Sequence, residues 1–148
     1  MKDCFAKVIC SDNKECCSQD WAHLIFRLSI GLILAFGHGL GKLPPSEQFI
    51  SGVTALGFPM PLVFAWLAAL SEFAGGLCLA LGFLTRPASF FIAFTMAVAF
   101  FLAHASDPFN RKEMALLYLL IALFFFFRGG GKYSLDAVME KHCGCKKS

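Results

Sequence analysis

Met60 to Thr85 reads MPLVFAWLAALSEFAGGLCLALGFLT, an apolar stretch of 26 residues with one carboxylate, Glu72, close to its centre. At about 1.5 Å per residue a helix of that length rises roughly 39 Å, more than the roughly 30 Å hydrocarbon core of a bilayer. The stretch therefore reads as a transmembrane helix. Insertion scales charge an acidic side chain at the midplane about 2.5–3.5 kcal/mol, so Glu72 needs a proton, a cationic partner or a wet cavity. The other polar residues set in apolar sequence are candidates to supply one.

On the N-terminal side, Trp21 to Leu43 is a first span, with Trp21 at one interface and Lys42 at the other and with Arg27 and His38 inside it. Gly37 and Gly41 form a small-xxx-small pair that permits close helix contact. Pro44 to Pro59 is broken by Pro44-Pro45 and by Glu47, Gln48 and Ser51, so it predicts a short helix in the interface, a partial lid over the bundle. On the C-terminal side, Thr85-Arg86-Pro87 predicts a tight connection and Pro87 to Ala105 a third span ending near His104. Ser106 to Lys112 is a polar turn, and Glu113 to Arg128 is a short fourth span stopped by Gly129-Gly130-Gly131. Ser134 then caps a short helix, Leu135 to His142, with Asp136 in its first turn.

The expected fold is thus all-α: a polytopic four-transmembrane-helix bundle with a short interfacial helix between spans 1 and 2. Composition agrees, since 57% of the 148 residues are hydrophobic, 18 are Phe and 16% are charged, against roughly 45–50% apolar in soluble domains. The chain divides into a Cys-rich N-terminal segment (1–20), the membrane domain (21–138) and a Cys-containing tail (139–148). Residues 1–20 lack the apolar centre of a cleavable signal, which leaves the first span as the targeting signal. One side of the bundle collects both termini and nine basic residues, Arg86, Arg128, Lys132 and Lys141 among them, whereas the other has only Lys42, Arg111 and Lys112. The positive-inside rule then places both termini in the cytoplasm and the protein in the cell (inner) membrane. The basic residues sit at membrane edges without forming a stripe, so lipid head groups are the expected anionic neighbours and nucleic acid is not an expected partner.

Several motifs stand in order: Arg27-x3-Gly31, Gly37-His38-Gly39-x2-Lys42, Glu72-x2-Gly75-Gly76, Leu81-Gly82-x2-Thr85-Arg86, then His104, Glu113 and the closing run from Gly129 to Asp136. From Trp21 to about Val138 the chain resembles the DoxX family of small four-helix membrane proteins. The resemblance implies quinone-linked oxidation or thiol redox balance, since family members include a subunit of a thiosulfate:quinone oxidoreductase. It implies nothing about the Cys-rich ends.

Three constellations follow. Arg27 and Glu72 are expected to approach each other, either as an ion pair that fixes helix register or with Glu72 as proton acceptor or quinone ligand. His38, Lys42, His104 and Glu113 fall near the outer end, where they anchor helix ends, line a small-molecule pocket or hold a metal. Cys4, Cys10, Cys16 and Cys17, with His142, Cys143 and Cys145, do not match a zinc-finger spacing. In a reducing cytosol these thiols are expected to stay reduced, to bind a soft metal with His142, or to act as redox partners. Cys78 reads as a packing residue, and the Phe-rich spans read as lipid-facing or packed surface, with an aromatic ligand slot as the alternative.

The catalytic candidates are therefore Glu72, His38 and His104; the ligand-binding candidates are Arg27, Lys42 and Glu113; and the metal candidates are His142, Cys143 and Cys145. The expected cofactors are a quinone or a soft metal ion. No GxGxxG, Walker loop, GxSxG or CxxCH occurs, so no nucleotide, acyl-transfer or haem-attachment site is indicated. The leading reading is a membrane redox component that meets a quinone or a small sulfur or thiol compound, as a subunit or accessory of an oxidoreductase with a protein partner. The alternative is a non-catalytic scaffold or metal-handling factor acting through its Cys-rich ends.

Overall fold

A computed structural model describes residues 13–142. Six α-helices and no strands occur among them: α1 Asn13–Leu32, α2 Glu47–Ala55, α3 Pro61–Leu81, α4 Thr85–Val98, α5 Phe109–Arg128 and α6 Leu135–His142. α1 runs on without a break into a wide π-helical segment, Ile33–Gly39, and a last tight turn, Leu40–Lys42. α4 continues in the same way through Ala99–Ala103. Among the described residues three segments are long and apolar enough to cross a membrane: Ser18–Lys42, Pro61–Leu81 and Thr85–Ala103. The chain is a multi-pass membrane protein by that measure. α5 falls outside the three because Arg111, Lys112, Glu113 and Arg128 crowd its ends.

α1 and α3 cross in near backbone contact. A Cβ added at Gly31 would lie 2.5 Å from the Ala80 amide nitrogen, and one added at Gly39 would lie 2.5 Å from that of Phe73. Gly76 closes the same seam against Ala35. The seam is therefore Gly31-x3-Ala35-x3-Gly39 against Gly76-x3-Ala80. The pair expected from sequence, Gly37 and Gly41, meets nothing of α3. The wide π turn explains the difference: it takes up more residues per turn, so a spacing of four holds one face and carries Gly39, not Gly37 or Gly41, onto α3. Beside this seam α4 packs most extensively on α5, and Leu34, Leu79, Ile92, Met96, Tyr118 and Phe125 form the apolar core.

Ser46 caps α2 by accepting from the Phe49 amide at 3.2 Å. The α3–α4 corner is closed from a distance. Leu84, in the left-handed region at φ 47°, stands where α4 needs a cap and has no side-chain oxygen to give. Asp136 of α6 takes that role: its carboxylate accepts from the Leu84 and Thr85 amides at 2.7 and 2.9 Å and from the Thr85 hydroxyl at 2.7 Å. The sequence places the connection at Thr85 to Pro87, but those residues are already the first turn of α4, where Pro87 loses no helical hydrogen bond. Asp136→Ala should lower stability by about 2 kcal/mol, the upper end of the capping range, because a charged acceptor of three bonds is lost. Thermal unfolding in detergent measures this, and Asp136→Asn should lose less.

Ser134 caps α6 as expected, accepting from the Ala137 amide at 3.1 Å. The segment from Gly129 to His142 is thus a strap across one end of the bundle. It is held by Asp136, by a Lys132–Asp20 ion pair at 3.4 Å and by the Trp21 and Tyr133 rings, 5.1 Å between centroids.

Candidate functional site

Glu72 sits in the middle of α3 with 2% of its surface exposed. Its partner is Lys42: the ammonium lies 2.6 Å from one carboxylate oxygen and 2.7 Å from the other. Gly39 brings this about. Because its backbone lies against that of Glu72 and Phe73, Lys42, one turn further along, reaches back down to the carboxylate. The Lys42 ammonium also stands 5.7 Å from the centroid of Phe49 on α2, so a single cation links the central carboxylate to the lid helix.

Arg27, the partner expected from sequence, does not meet Glu72. It is fully buried, at 1% exposure, at the other end of the seam, where its guanidinium donates to the carbonyls of Gly130 and, at 2.9 Å, Tyr133. Its tip lies against Gly82, ten residues along α3 from Glu72, roughly 15 Å by helical rise. That separation is beyond the reach of two side chains, so Arg27 pins the strap and Lys42 neutralises Glu72.

The ion pair stands in a groove of about 700 Å³ along the α3–α4 seam, covered at one end by α2 through Phe49, Val53 and Leu56. Lining residues on α3 run from Phe64 to Cys78, roughly 21 Å by helical rise. Nearly the whole wall is apolar. The polar exceptions are the Lys42–Glu72 pair, His104, Cys78 and two hydroxyls, Ser71 and Thr95, which hydrogen-bond each other at 2.7 Å across the seam. Ser71 also donates to the Ala68 carbonyl at 2.9 Å.

His104 lines the groove where the continuation of α4 ends, its Nδ1 2.8 Å from Asp107 in the turn that follows. That hydrogen bond, helped by Arg111, holds the Asp107 carboxyl below the usual carboxylate range. A depressed carboxylate favours the folded turn at pH above its unfolded value, and this contribution is lost as pH falls through the folded value. His104→Ala should therefore raise the Asp107 midpoint in an NMR titration toward the ordinary Asp value of about 3.9.

His38 packs edge-on against Tyr118 of α5, 5.3 Å between centroids. Glu113 is exposed at the start of α5. His38, His104 and Glu113 thus have separate surroundings, and among the described residues no group of three or more His, Cys, Asp or Glu is placed to hold a metal. Of the tail set, His142 bonds to the Val138 carbonyl of its own helix at 2.9 Å. Cys143, Cys145, Cys4 and Cys10, and the side chains of Cys16 and Cys17, lie outside the described residues.

The family model that matches is DoxX, over residues 22–105. The chain belongs to the DoxX family. An uncharacterised protein of Haemophilus influenzae is 39% identical to the DoxX chain over 107 residues, 67% of this chain and 77% of the relative. The inner membrane proteins YqjF and YphA of Escherichia coli are each 33% identical, over 74% and 76% of this chain and 85% and 86% of their own lengths. No solved structure matches it. Among the groove-lining residues within the matched region of the DoxX chain, Glu72, Lys42 and His104 were candidates from sequence, whereas Ser71 and Thr95 were not. Two hydroxyls on adjacent predicted spans were the available signal, and only the α3–α4 register shows that they meet. Tyr118, beyond the matched residues, was also missed, because a single Tyr in an apolar span looks like core.

Proposed function

We propose that the chain is a quinone-binding membrane subunit whose site is the α3–α4 groove, with the head group at the Lys42–Glu72 pair and the apolar tail along the seam. The observation that carries this is one ion pair, an ammonium on a buried carboxylate, set in a groove whose wall is nearly all apolar and long enough for an isoprenoid chain. A bound quinone supplies an acceptor for two electrons and two protons. Lys42 donates a hydrogen bond to a carbonyl oxygen, Glu72 holds or passes a proton beside it, and His104, fixed through Nδ1 by Asp107, offers Nε2 as the second proton-handling atom. Ser71 and Thr95 tie the walls together. Electrons come from a partner oxidoreductase subunit. The small sulfur or thiol compound considered alongside a quinone is less well matched by a long apolar wall.

The same reading makes α5 a fourth crossing. Its apolar stretch from Met114 to Phe127 spans roughly 21 Å, Arg111, Lys112 and Arg128 stand at its ends, where long cations meet head groups, and both termini then face the cytoplasm with α2 at the outer interface. A cysteine placed at exposed Ser51 should react with a membrane-impermeant maleimide from the periplasmic face, and reaction from the cytoplasmic face alone would reverse the orientation.

The site is tested by photolabelling purified protein with an azido-quinone. Labels should fall on α3 between Phe64 and Cys78 or on α4 and its continuation between Pro87 and His104, and excess unlabelled quinone should prevent them. Labelling confined to other helices, or labelling that does not compete, would count against the groove.

A further inference from the structure

Ser71 follows Glu72 on α3 at about 1.5 Å of helical rise and reaches across the seam to Thr95 of α4, with 2.7 Å between the two hydroxyl oxygens. Both residues line the groove, so the hydroxyl pair lies at the depth of the Lys42–Glu72 pair. A hydroxyl has one hydrogen to give, and that of Ser71 goes to the Ala68 carbonyl at 2.9 Å. The bond across the seam is then made together with that one only if Thr95 is its donor. With its hydrogen spent on Ser71, Thr95 Oγ is left an acceptor, and no other hydrogen bond reaches it among the described residues.

The other polar groups of the lining tilt the same way. The Asp107 carboxylate only accepts, so the bond between them puts the hydrogen of a neutral His104 ring on Nδ1 and leaves Nε2 an acceptor. The Glu72 oxygens accept as well, and they engage two of the hydrogens of the Lys42 ammonium. Apart from the weakly donating Cys78 thiol, the remaining ammonium N–H is what the lining offers a ligand as a donor. A ring with two carbonyls brings acceptors to a lining of acceptors, whereas its reduced form brings two hydroxyl hydrogens.

From this count we infer that Thr95, fixed as an acceptor by Ser71, is a specificity-determining residue that makes the groove bind a quinol more tightly than the corresponding quinone, an inference that rests on the quinone reading of the groove. A quinol hydroxyl donates to Thr95 Oγ, and a quinol oxygen still accepts from Lys42, so the reduced form loses nothing at the ion pair. A quinone in the same place sets lone pairs against lone pairs beside Thr95. Leaving such an acceptor unmatched corresponds to roughly a tenfold loss of affinity. Tenfold tighter binding of the reduced form raises the potential of a bound two-electron couple by about 30 mV, the direction that favours reduction in the groove.

The full chain in detergent is titrated anaerobically, by calorimetry, with decylubiquinone and with decylubiquinol, and folding of each variant is confirmed by circular dichroism. Wild type should bind the quinol roughly tenfold more tightly. Thr95→Val keeps the shape and leaves Ser71 its bond to Ala68; it should bring the two forms to near parity by weakening the quinol alone. Thr95→Ser should restore the preference. Equal affinities or a tighter quinone in the wild type, a preference that survives Thr95→Val, or an equal loss of both forms in that variant overturns the inference and leaves the groove standing. No saturable binding of either form by the folded wild type overturns the groove itself and the inference with it.

Discussion

Lys42→Met should be the most damaging single change at the candidate site, and adding Glu72→Leu should recover much of the loss. The reason is the asymmetry of a buried ion pair. Glu72 has 3% of its side chain exposed, and its two oxygens share one ammonium, so removing that ammonium leaves an unpaired carboxylate in low dielectric. Stranding one member of a buried pair costs about 3–5 kcal/mol. Because Lys42 keeps 37% of its side chain accessible from the groove, the lower end, about 3 kcal/mol, is expected. Replacing both members by apolar groups is often near neutral for folding. Thermal unfolding of the two single variants and the double variant gives the coupling energy. Arg27→Met with Glu72→Leu, by contrast, should be additive, since the guanidinium binds the strap carbonyls. Coupling between Arg27 and Glu72 would restore the pairing expected from sequence.

Gly39→Ala should lower stability by about 3 kcal/mol and also disturb the site. The added Cβ would stand 2.5 Å from the Phe73 nitrogen and 2.6 Å from its Cα, both backbone atoms that no rotamer change can move. α1 and α3 would have to separate, and overpacking of this kind costs about 1–3 kcal/mol or more. Separation here lifts Lys42 away from Glu72. Gly31→Ala meets the Ala80 backbone at 2.5 Å and should cost as much stability, but it lies away from the ion pair. Gly37→Ala is the control, because its Cβ would find only Ile33 of its own helix, 3.8 Å away, and should be neutral or slightly stabilising. Equal melting temperatures for Gly37→Ala and Gly39→Ala would contradict the seam described above.

The helices were legible because the bilayer imposes one simple demand, long apolar runs with polar residues at the ends, and the runs around Trp21, Glu72 and Phe94 meet it. The capping of α6 by Ser134 was equally local and equally readable. The pairing of Glu72 was not, because it depends on the relative depth of α1 and α3. Counting helical rise from the assumed start of each span brought Arg27 near Glu72; the glycine seam instead places Gly39 opposite Glu72 and Arg27 opposite Gly82. The seam was hidden in turn by the π-helical turn, which moves the contact face from Gly37 and Gly41 to Gly31, Ala35 and Gly39 without changing composition. Asp136 illustrates the same limit: its place in the first turn of α6 was visible, but its caps on Leu84 and Thr85 join residues about fifty positions apart.

The most direct test is a fluorescence titration of the folded, detergent-solubilised protein with a short-chain quinone, comparing wild type with the Lys42→Met/Glu72→Leu double variant. Folding of both is confirmed by circular dichroism. The wild type should bind in the micromolar range and the double variant at least about tenfold more weakly, the loss of about one charge-assisted hydrogen bond to the head group. Equal affinities, or no saturable binding by the folded wild type, would contradict a head-group site at the Lys42–Glu72 pair.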